Sequence, residues 1–267
     1  MIPLVSKITV YPLKSFDGVD LEFSDILTSG SLKHDRQLAL LDTNGKYFNA
    51  KNYPDIHQYE SQFHKDWYSM VITRPADSAM EFFDLRSDHQ RLVDWIRNFH
   101  PNVTSYEENI LTGLPDDREA NGPTIISEAT LELVASWFEG LSIHNIRQRL
   151  RPNIEISGVP AFWEDRLFDN NIPFSIGTVR FIGTHPCQRC VVPTRCPQTG
   201  VVTPRFADIV AKNRKKSLPE WSHPGSFNHY YRLATNTKLA EDCAGGNISL
   251  GDEIILPANL SHQQIVT

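Results

Sequence analysis

The densest chemistry in the sequence lies in His185-Pro186-Cys187-Gln188-Arg189-Cys190-Val191-Val192-Pro193-Thr194-Arg195-Cys196, which holds three of the four cysteines. Four chemistries compete for such a run. Two thiolates separated by two residues make half of a tetrahedral zinc site, which Cys196, His185 or Cys243 would complete, but no second C-x-x-C or H-x-x-x-H pair accompanies it. A thioredoxin-like dithiol needs a helix opening at the motif, and Val191-Val192 and Pro193 oppose one. Cysteine is often buried in core strands, yet three in so short a stretch beside two arginines fit that poorly. The fourth chemistry is one exposed thiolate ligating a soft transition metal. Arg189 and Arg195 flank Cys190 and supply the positive charge that keeps a thiolate ionised at neutral pH. Spacing alone does not choose among molybdenum, copper and iron.

Other candidates are more ordinary. Arg147, Arg149 and Arg151 alternate, so on an extended strand they share one face and call for an anion. Asp116-Asp117 reads as a solvated loop, because adjacent side chains diverge on most backbones. His57 and His64 are expected at the surface, whereas His185 is near enough to the cysteines to move protons or to serve a structural hydrogen bond. Neither G-x-G-x-x-G nor a Walker-type lysine motif occurs.

The elements that must position these residues are mostly strands. Lys7 to Tyr11 alternates polar with apolar residues. Gln37 to Asp42 and Lys46 to Asn49 flank Thr43-Asn44-Gly45, a hairpin signal because Asn and Gly tolerate positive φ. Tyr68 to Thr73 and Met80 to Leu85 read as further strands. A helix follows Ser87 or Asp88, with Leu92, Trp95, Ile96 and Phe99 on one stripe and Pro101 as its stop. The polar stretch Gly113 to Pro123 reads as a linker between two halves. Thr124 to Ile126 opens the second half, Ser127 caps a helix carrying Leu131, Val134, Ala135 and Phe138, and Gly140 suits its C′ position. Strands return at Asn153 to Ser157, at Pro173 to Ile176 and Thr178 to Ile182 around Gly177, and at Tyr230 to Leu233 and Glu253 to Leu256. Phe206 to Ala211 is helical, with the basic run Lys212 to Lys216 after it. Short strands punctuated by turns predict a barrel or sandwich.

Composition narrows the function. The 267 residues carry 26 basic and 32 acidic side chains, a net charge of −6, with 40% hydrophobic and 22% charged residues. These are ordinary globular values, which exclude a disordered or fibrous chain, and the acidic balance disfavours nucleic acid as partner. No window of 18 apolar residues exists, so no membrane span is expected. The opening Met1-Ile2-Pro3-Leu4-Val5-Ser6-Lys7 lacks the pattern of a secretory or transit segment, and a cytoplasmic protein is expected.

Segments in the expected order give the sequence a family likeness. Cys187-Gln188-Arg189-Cys190, followed by Thr194, Pro197, Thr199 and Gly200, resembles the C-x-R-C…T…P…G signature of MOSC-domain proteins, named for the C-terminal domain of molybdenum cofactor sulfurases. Tyr11-Pro12-Leu13-Lys14-Ser15 resembles the Y-P-x-K-S motif of the family's N-terminal β-barrel, and His34-Asp35-Arg36-Gln37-Leu38-Ala39-Leu40 its D-R strand. Ser127-Glu128-Ala129-Thr130-Leu131 and Arg151-Pro152-Asn153-Ile154 resemble the opening of the MOSC domain; Phe162-Trp163-Glu164-Asp165 and Gly251-Asp252 also fit. The likeness spans nearly the whole chain and is greatest to the two-part members, bacterial proteins and the mitochondrial amidoxime-reducing component.

The resemblance implies a mostly β, mixed α+β fold, with an N-terminal β-barrel-like module (residues 1–112) and a MOSC β-barrel domain (residues 113–267) holding a molybdenum cofactor (Mo-molybdopterin) in the cleft between them. It implies Cys190 as the catalytic metal ligand. It implies Lys14, Ser15 and Arg36 on the pterin phosphate, with Arg151 and Asn153 facing the cofactor; Asn121 and Gly122 stand where relatives carry an Asp-Gly or Asp-Thr pair. The implied activity is an oxidoreductase that reduces N-hydroxylated or N-oxygenated small molecules, and its alternative is a non-enzymatic carrier of sulfurated cofactor or of sulfur. Some relatives add a ferredoxin-like domain with four iron-ligating cysteines. Cys243 stands alone, so electrons are expected from a separate donor protein. Three departures stand out: Cys196 replaces an acidic or small polar residue, the Asn121-Gly122 segment is one residue shorter, and Lys51 replaces an arginine, a point charge in place of a fork.

Overall fold

The structure is a computed structural model, and it describes residues 2–64, 66–74, 77–168 and 172–257. The first half contributes β1 (Leu4–Val10), β2 (Val19–Leu21), β3 (Phe23–Ile26), β4 (Leu38–Asp42), β5 (Glu60–Phe63), β6 (Ser69–Arg74), β7 (Ala79–Asp84), α1 (His89–Arg97) and β8 (Val103–Glu108). The second contributes β9 (Ile125–Ser127), α2 (Glu128–Ser136), α3 (Ile143–Leu150), β10 (Ile154–Ser157), β11 (Pro173–Ile176), β12 (Val179–Gln188), α4 (Phe206–Lys216), β13 (Arg232–Leu239), β14 (Gly246–Ser249) and β15 (Ile254–Ile255). The fold is thus strand-rich with few helices, a mixed α+β arrangement built around a curled sheet.

The main sheet has eight strands in the order β15-β11-β12-β13-β9-β10-β1-β2. β9 and β10 are parallel. A parallel pair needs a crossover, and α2 and α3 supply it. The N-terminal β1 pairs antiparallel with β10, Ile8 opposite Ile154, and β3 pairs with β14. The start of the chain is therefore woven into strands of the second half. Two smaller sheets, β4-β8 and β5-β6-β7, complete the first half.

Three apolar clusters hold these layers. Leu13, Phe48, Met70, Phe83 and Ile96 centre the first. Ile8, Ile154, Phe174 and Phe181 centre the second, at the join of β1 with the main sheet. Leu131, Ile146, Phe162 and Phe206 centre the third, under the crossover helices. Val192, two residues beyond Cys190, packs against the first cluster.

Local chemistry explains most boundaries. Ser127 caps α2, its Oγ accepting from the Thr130 amide at 3.1 Å, as expected of an N-cap serine. Gly45 adopts φ +69° and Asp42 Oδ1 accepts from the Asn44 and Lys46 amides, so the expected turn forms. The hairpin beyond it is brief: Leu41 bridges Tyr47, while β4 pairs along its length with β8. Phe206 to Lys216 is one helix, so the basic run is its last turn, where cations answer the carbonyl end of the dipole.

Two expectations are corrected. Arg147 and Arg149 do not lie on a strand, because residues 143–150 form α3. Ser142 caps it and Ile146 and Leu150 are buried on one side. A cap followed by apolar residues at helical spacing outweighs a period-two run of charge. Nor is Gly140 the C′ residue of α2, which already ends at Ser136. Gly140 takes φ +78° in the turn that leads to α3.

Candidate functional site

The antiparallel pairing of β1 with β10 brings the segment after β1 alongside the segment before β10. Tyr11 to Phe16 and Arg151 to Asn153 consequently share one wall of a cleft of about 1210 Å³. Lys14, Ser15, Arg36, Asn121, Gly122, Arg151, Asn153 and Cys190 all line it. Eleven of its lining residues are Lys or Arg and six are Asp or Glu. A chain with a net charge of −6 thus concentrates an excess of cations in one concavity, as an anion site requires.

Three of these residues hold left-handed backbone, Ser15 (φ +74°), Arg36 (φ +49°) and Arg151 (φ +51°). Side chains with a Cβ pay for that conformation, and such outliers gather at functional sites. Arg151 is the C-cap of α3; its Nη2 donates to the Phe16 carbonyl at 2.6 Å and its guanidinium lies 4.0 Å from the Tyr11 ring centroid. Arg36 approaches the same ring at 5.2 Å and pairs with Asp35. The Tyr11 hydroxyl donates to Pro152, and burial pushes its pKa well up, with the two arginines opposing. Asn153 is 2% exposed. Its Nδ2 donates to Thr9 O, and its Oδ1 accepts from Thr124 N and Arg36 Nη1, so it orients Arg36 and joins the two chain segments.

Cys190 is exposed, and its neighbour Cys187 is half-buried against the third cluster. The Val192 amide approaches Cys190 Sγ at 3.4 Å. Arg189 Nη1 instead lies 3.0 Å from Cys187 Sγ, and its Nη2 donates to Leu150 O. Its Nε is buried with no partner among the described residues. The thiol loop is tethered on two sides. Buried Arg149 donates to Pro193 O at 2.9 Å and Thr203 Oγ1 at 3.0 Å, and Arg195 donates to Ala50 O in the first half. After Cys190 the chain makes a 3-10 turn, Val192–Thr194, not the helix of a dithiol redox motif. No three His, Cys, Asp or Glu among the described residues converge as a protein-built metal site would require. Cys196 is not on the cleft wall; its Sγ faces Gln198 Oε1 at 3.4 Å, and hydrogen bonds around Thr199 lower its pKa although burial works against them.

Asn121 Oδ1 is buried with no partner among the described residues. The reason for Gly122 lies on its other side: a Cβ there would stand 2.5 Å from Thr237 Oγ1, and its amide donates to Thr237 O. Lys51 lines the cleft as well.

Sequence reasoning missed several contributors. Asp116 and Asp117 are not merely solvated. Asp116 Oδ1 accepts from Lys14 Nζ at 2.6 Å, while Asp117 Oδ2 lies 3.0 Å from His185 Nε2 and accepts from Asn236 Nδ2 at 3.1 Å. The adjacent carboxylates do diverge, and each finds a partner on a different wall. His57, expected at the surface, also lines the cleft. Arg147, read as a solvated edge, is paired with buried Glu155. The partners of Asp116 and Asp117 are distant in sequence, so only the motif order pointed toward the region.

This inventory fits a phosphate-bearing ligand with a soft metal. Buried donors, a partnerless acceptor and an exposed thiol face one space, and phosphate prefers charge-assisted donors. Comparison with known proteins agrees with the geometry. The MOSC N-terminal beta barrel domain model matches residues 2–102 and the MOSC domain model residues 124–255. "Mitochondrial amidoxime reducing component 2" of Bos taurus is 25% identical over 242 residues, covering 74% of this chain and 68% of that protein. The chain therefore belongs to the MOSC family, with both the N-terminal barrel and the MOSC domain present.

Proposed function

We propose that this protein binds a molybdenum–pterin cofactor in the cleft and reduces N-hydroxylated or other N-oxygenated small molecules, drawing electrons from a separate protein. MOSC domains are associated with molybdenum cofactor in general, and a distant relative carries the name of an amidoxime reducing component. The observation that carries the reading is the convergence of an exposed cysteine with cations of both halves on one wall system.

In this reading Lys14, Ser15 and Arg36 hold the phosphate, Arg151, Asn153, Asn121 and Gly122 lie along the pterin, and Cys190 is the protein's thiolate ligand to the metal. The bound group supplies two-electron oxygen-acceptor chemistry. The rest falls to the chain. Arg149 and Arg195 fix the loop that presents Cys190, and a fixed ligand keeps its geometry through turnover. The division at residues 112/113 is then functional: the first module grips the phosphate and the second presents the sulfur. Reduction of an N-hydroxyl consumes two electrons and two protons and releases the amine and water. His185, held by Asp117 on the cleft wall, is placed to move protons.

The test is metal analysis of protein made in a host competent for molybdopterin synthesis, followed by turnover of benzamidoxime with a chemical reductant. Molybdenum near one per chain with catalytic consumption of substrate is expected. Zinc in its place overturns the reading, and stoichiometric sulfur transfer without turnover favours a carrier.

A further inference from the structure

Lys14 is the most enclosed cation of the phosphate grip, and the chain has already given it an anion. Its Nζ donates to Leu114 O at 2.8 Å and to Asp116 Oδ1 at 2.6 Å. The two partners are unequal: the Lys14 side chain is 5% exposed and that of Asp116 84%. The ammonium is fixed inside the wall, while the carboxylate reaches to it from a surface loop. That loop has its own anchors. Asp117 is held by His185 and Asn236, Leu114 N donates to Arg36 O and Gly122 N to Thr237 O. Asp116 can therefore turn away by side-chain rotation without releasing the loop.

We propose that Asp116 is a specificity-determining residue of the cleft: its carboxylate covers the Lys14 ammonium until a phosphate dianion displaces it, so the site admits phosphomonoesters and refuses small monoanions. This rests on the reading that Lys14 grips a phosphate. Baring the ammonium without a replacement leaves a buried charge unpaired, which is costly, so one anion has to be exchanged for another. Burial already works against the charge on Lys14 and Asp116 sustains it. A monoanion brings no more charge than the carboxylate it replaces, and the tethered carboxylate acts at a high effective concentration. A phosphomonoester carries nearly two charges and three acceptor oxygens, enough to reach Arg36 and Ser15 together with Lys14. Arg36 is itself paired with Asp35, so a monoanion gains little there. Asp116 lines the cleft and is also attracted by Arg36 and Arg151, and its release exchanges those attractions for water, to which its side chain is already open.

The experiment compares full-length wild-type protein, Asp116→Asn and Lys14→Met, each made without cofactor in a host that lacks molybdopterin synthesis. Inorganic phosphate is titrated at pH 8.0, where the dianion predominates, and followed by 31P line width, with and without acetate at constant ionic strength; circular-dichroism melts check folding. Asparagine keeps a carbonyl for the lysine and removes the competing charge. Asp116→Asn is expected to bind phosphate about fivefold more tightly, the scale of one ion pair lost, and acetate is expected to compete against it but not against wild type. Equal or weaker phosphate binding by Asp116→Asn, with binding lost in Lys14→Met, overturns the role of Asp116 and leaves the phosphate reading standing. Absence of phosphate binding in both wild type and Asp116→Asn, or unchanged binding in Lys14→Met, overturns both.

Discussion

Lys14–Asp116 and Arg214–Asp165 are both ion pairs between a buried cation and an aspartate, and the difference between them separates a site from a scaffold. In the second pair both partners are enclosed, with side chains 1% and 3% exposed. Arg214 lies 3.8 Å from the Phe162 ring centroid and 4.9 Å from that of Phe227, and Asp165 also accepts from Ser222. Both charges are enclosed, so they act only on neighbours within the fold. In the first pair the anion stands in solvent. A half-open pair can be remade with a different anion; a closed one can only be broken. The cysteine motif shows a milder contrast: both thiols line the cleft, Cys190 exposed and Cys187 half-buried against the third cluster.

Four tests sharpen or break this contrast. Cys190→Ser should abolish turnover of an N-hydroxyl substrate by the loaded protein while its melting curve hardly moves, and Cys187→Ser should cost far less activity. Equal losses from the two would favour a paired-thiol role and erase the distinction. Next in size, Asp165→Ala leaves Arg214 buried and unpaired, a loss of about 3–5 kcal/mol in urea unfolding. Lys14→Ala leaves only a solvated carboxylate, so it should spare stability and instead lower molybdenum retention by roughly tenfold or more, the worth of a charged hydrogen bond. If Lys14→Ala unfolds the protein as Asp165→Ala does, the cleft pair is scaffold too.

The third test concerns Glu164, beside Asp165 and 1% exposed. Burial first, and the neighbouring Asp165 second, raise its pKa to about 7, and neither carboxyl oxygen has a hydrogen-bond partner among the described residues. The native state then binds a proton that the unfolded chain releases near its ordinary carboxyl pKa. Stability should therefore fall as pH rises from about 4.5 to about 7 and level off above, by a few kcal/mol at most. Glu164→Gln should flatten that slope in melts taken across the window; an unchanged slope would show that Glu164 is not its source. Smallest is Arg205→Gly. Arg205 is exposed and left-handed (φ +57°) at the start of α4, so glycine should stabilise by up to about 1 kcal/mol without touching molybdenum content. Arg151→Gly gains the same backbone relief and should lose cofactor, because that left-handed residue carries a cleft side chain. If both variants load equally, Arg151 is strained for structural reasons alone.

Much of the fold was legible because its signals are local. The cap at Ser127, the Asn44-Gly45 turn and the strand pair around Gly177 each depend on residues a few positions apart, and each appears where it was read. Errors arose where two local patterns overlapped, as in the alternating arginines laid over a capped amphipathic helix. The weave of β1 and β3 into the second half had no local signature, since it follows from pairing with strands more than a hundred residues away.

The sequence alone determined the identities and order of the motifs, which residues carry charge or sulfur, and hence the family. Side-chain chemistry and near-neighbour backbone preference suffice for that. Only the tertiary structure decided which charges meet. Lys14 and Asp116 are 102 positions apart, and Arg195 and Ala50 145. Such pairs exist because burying β1 against β10 brings distant backbone together, and burial then determines whether an ionised group is enclosed with its partner or left open to a ligand.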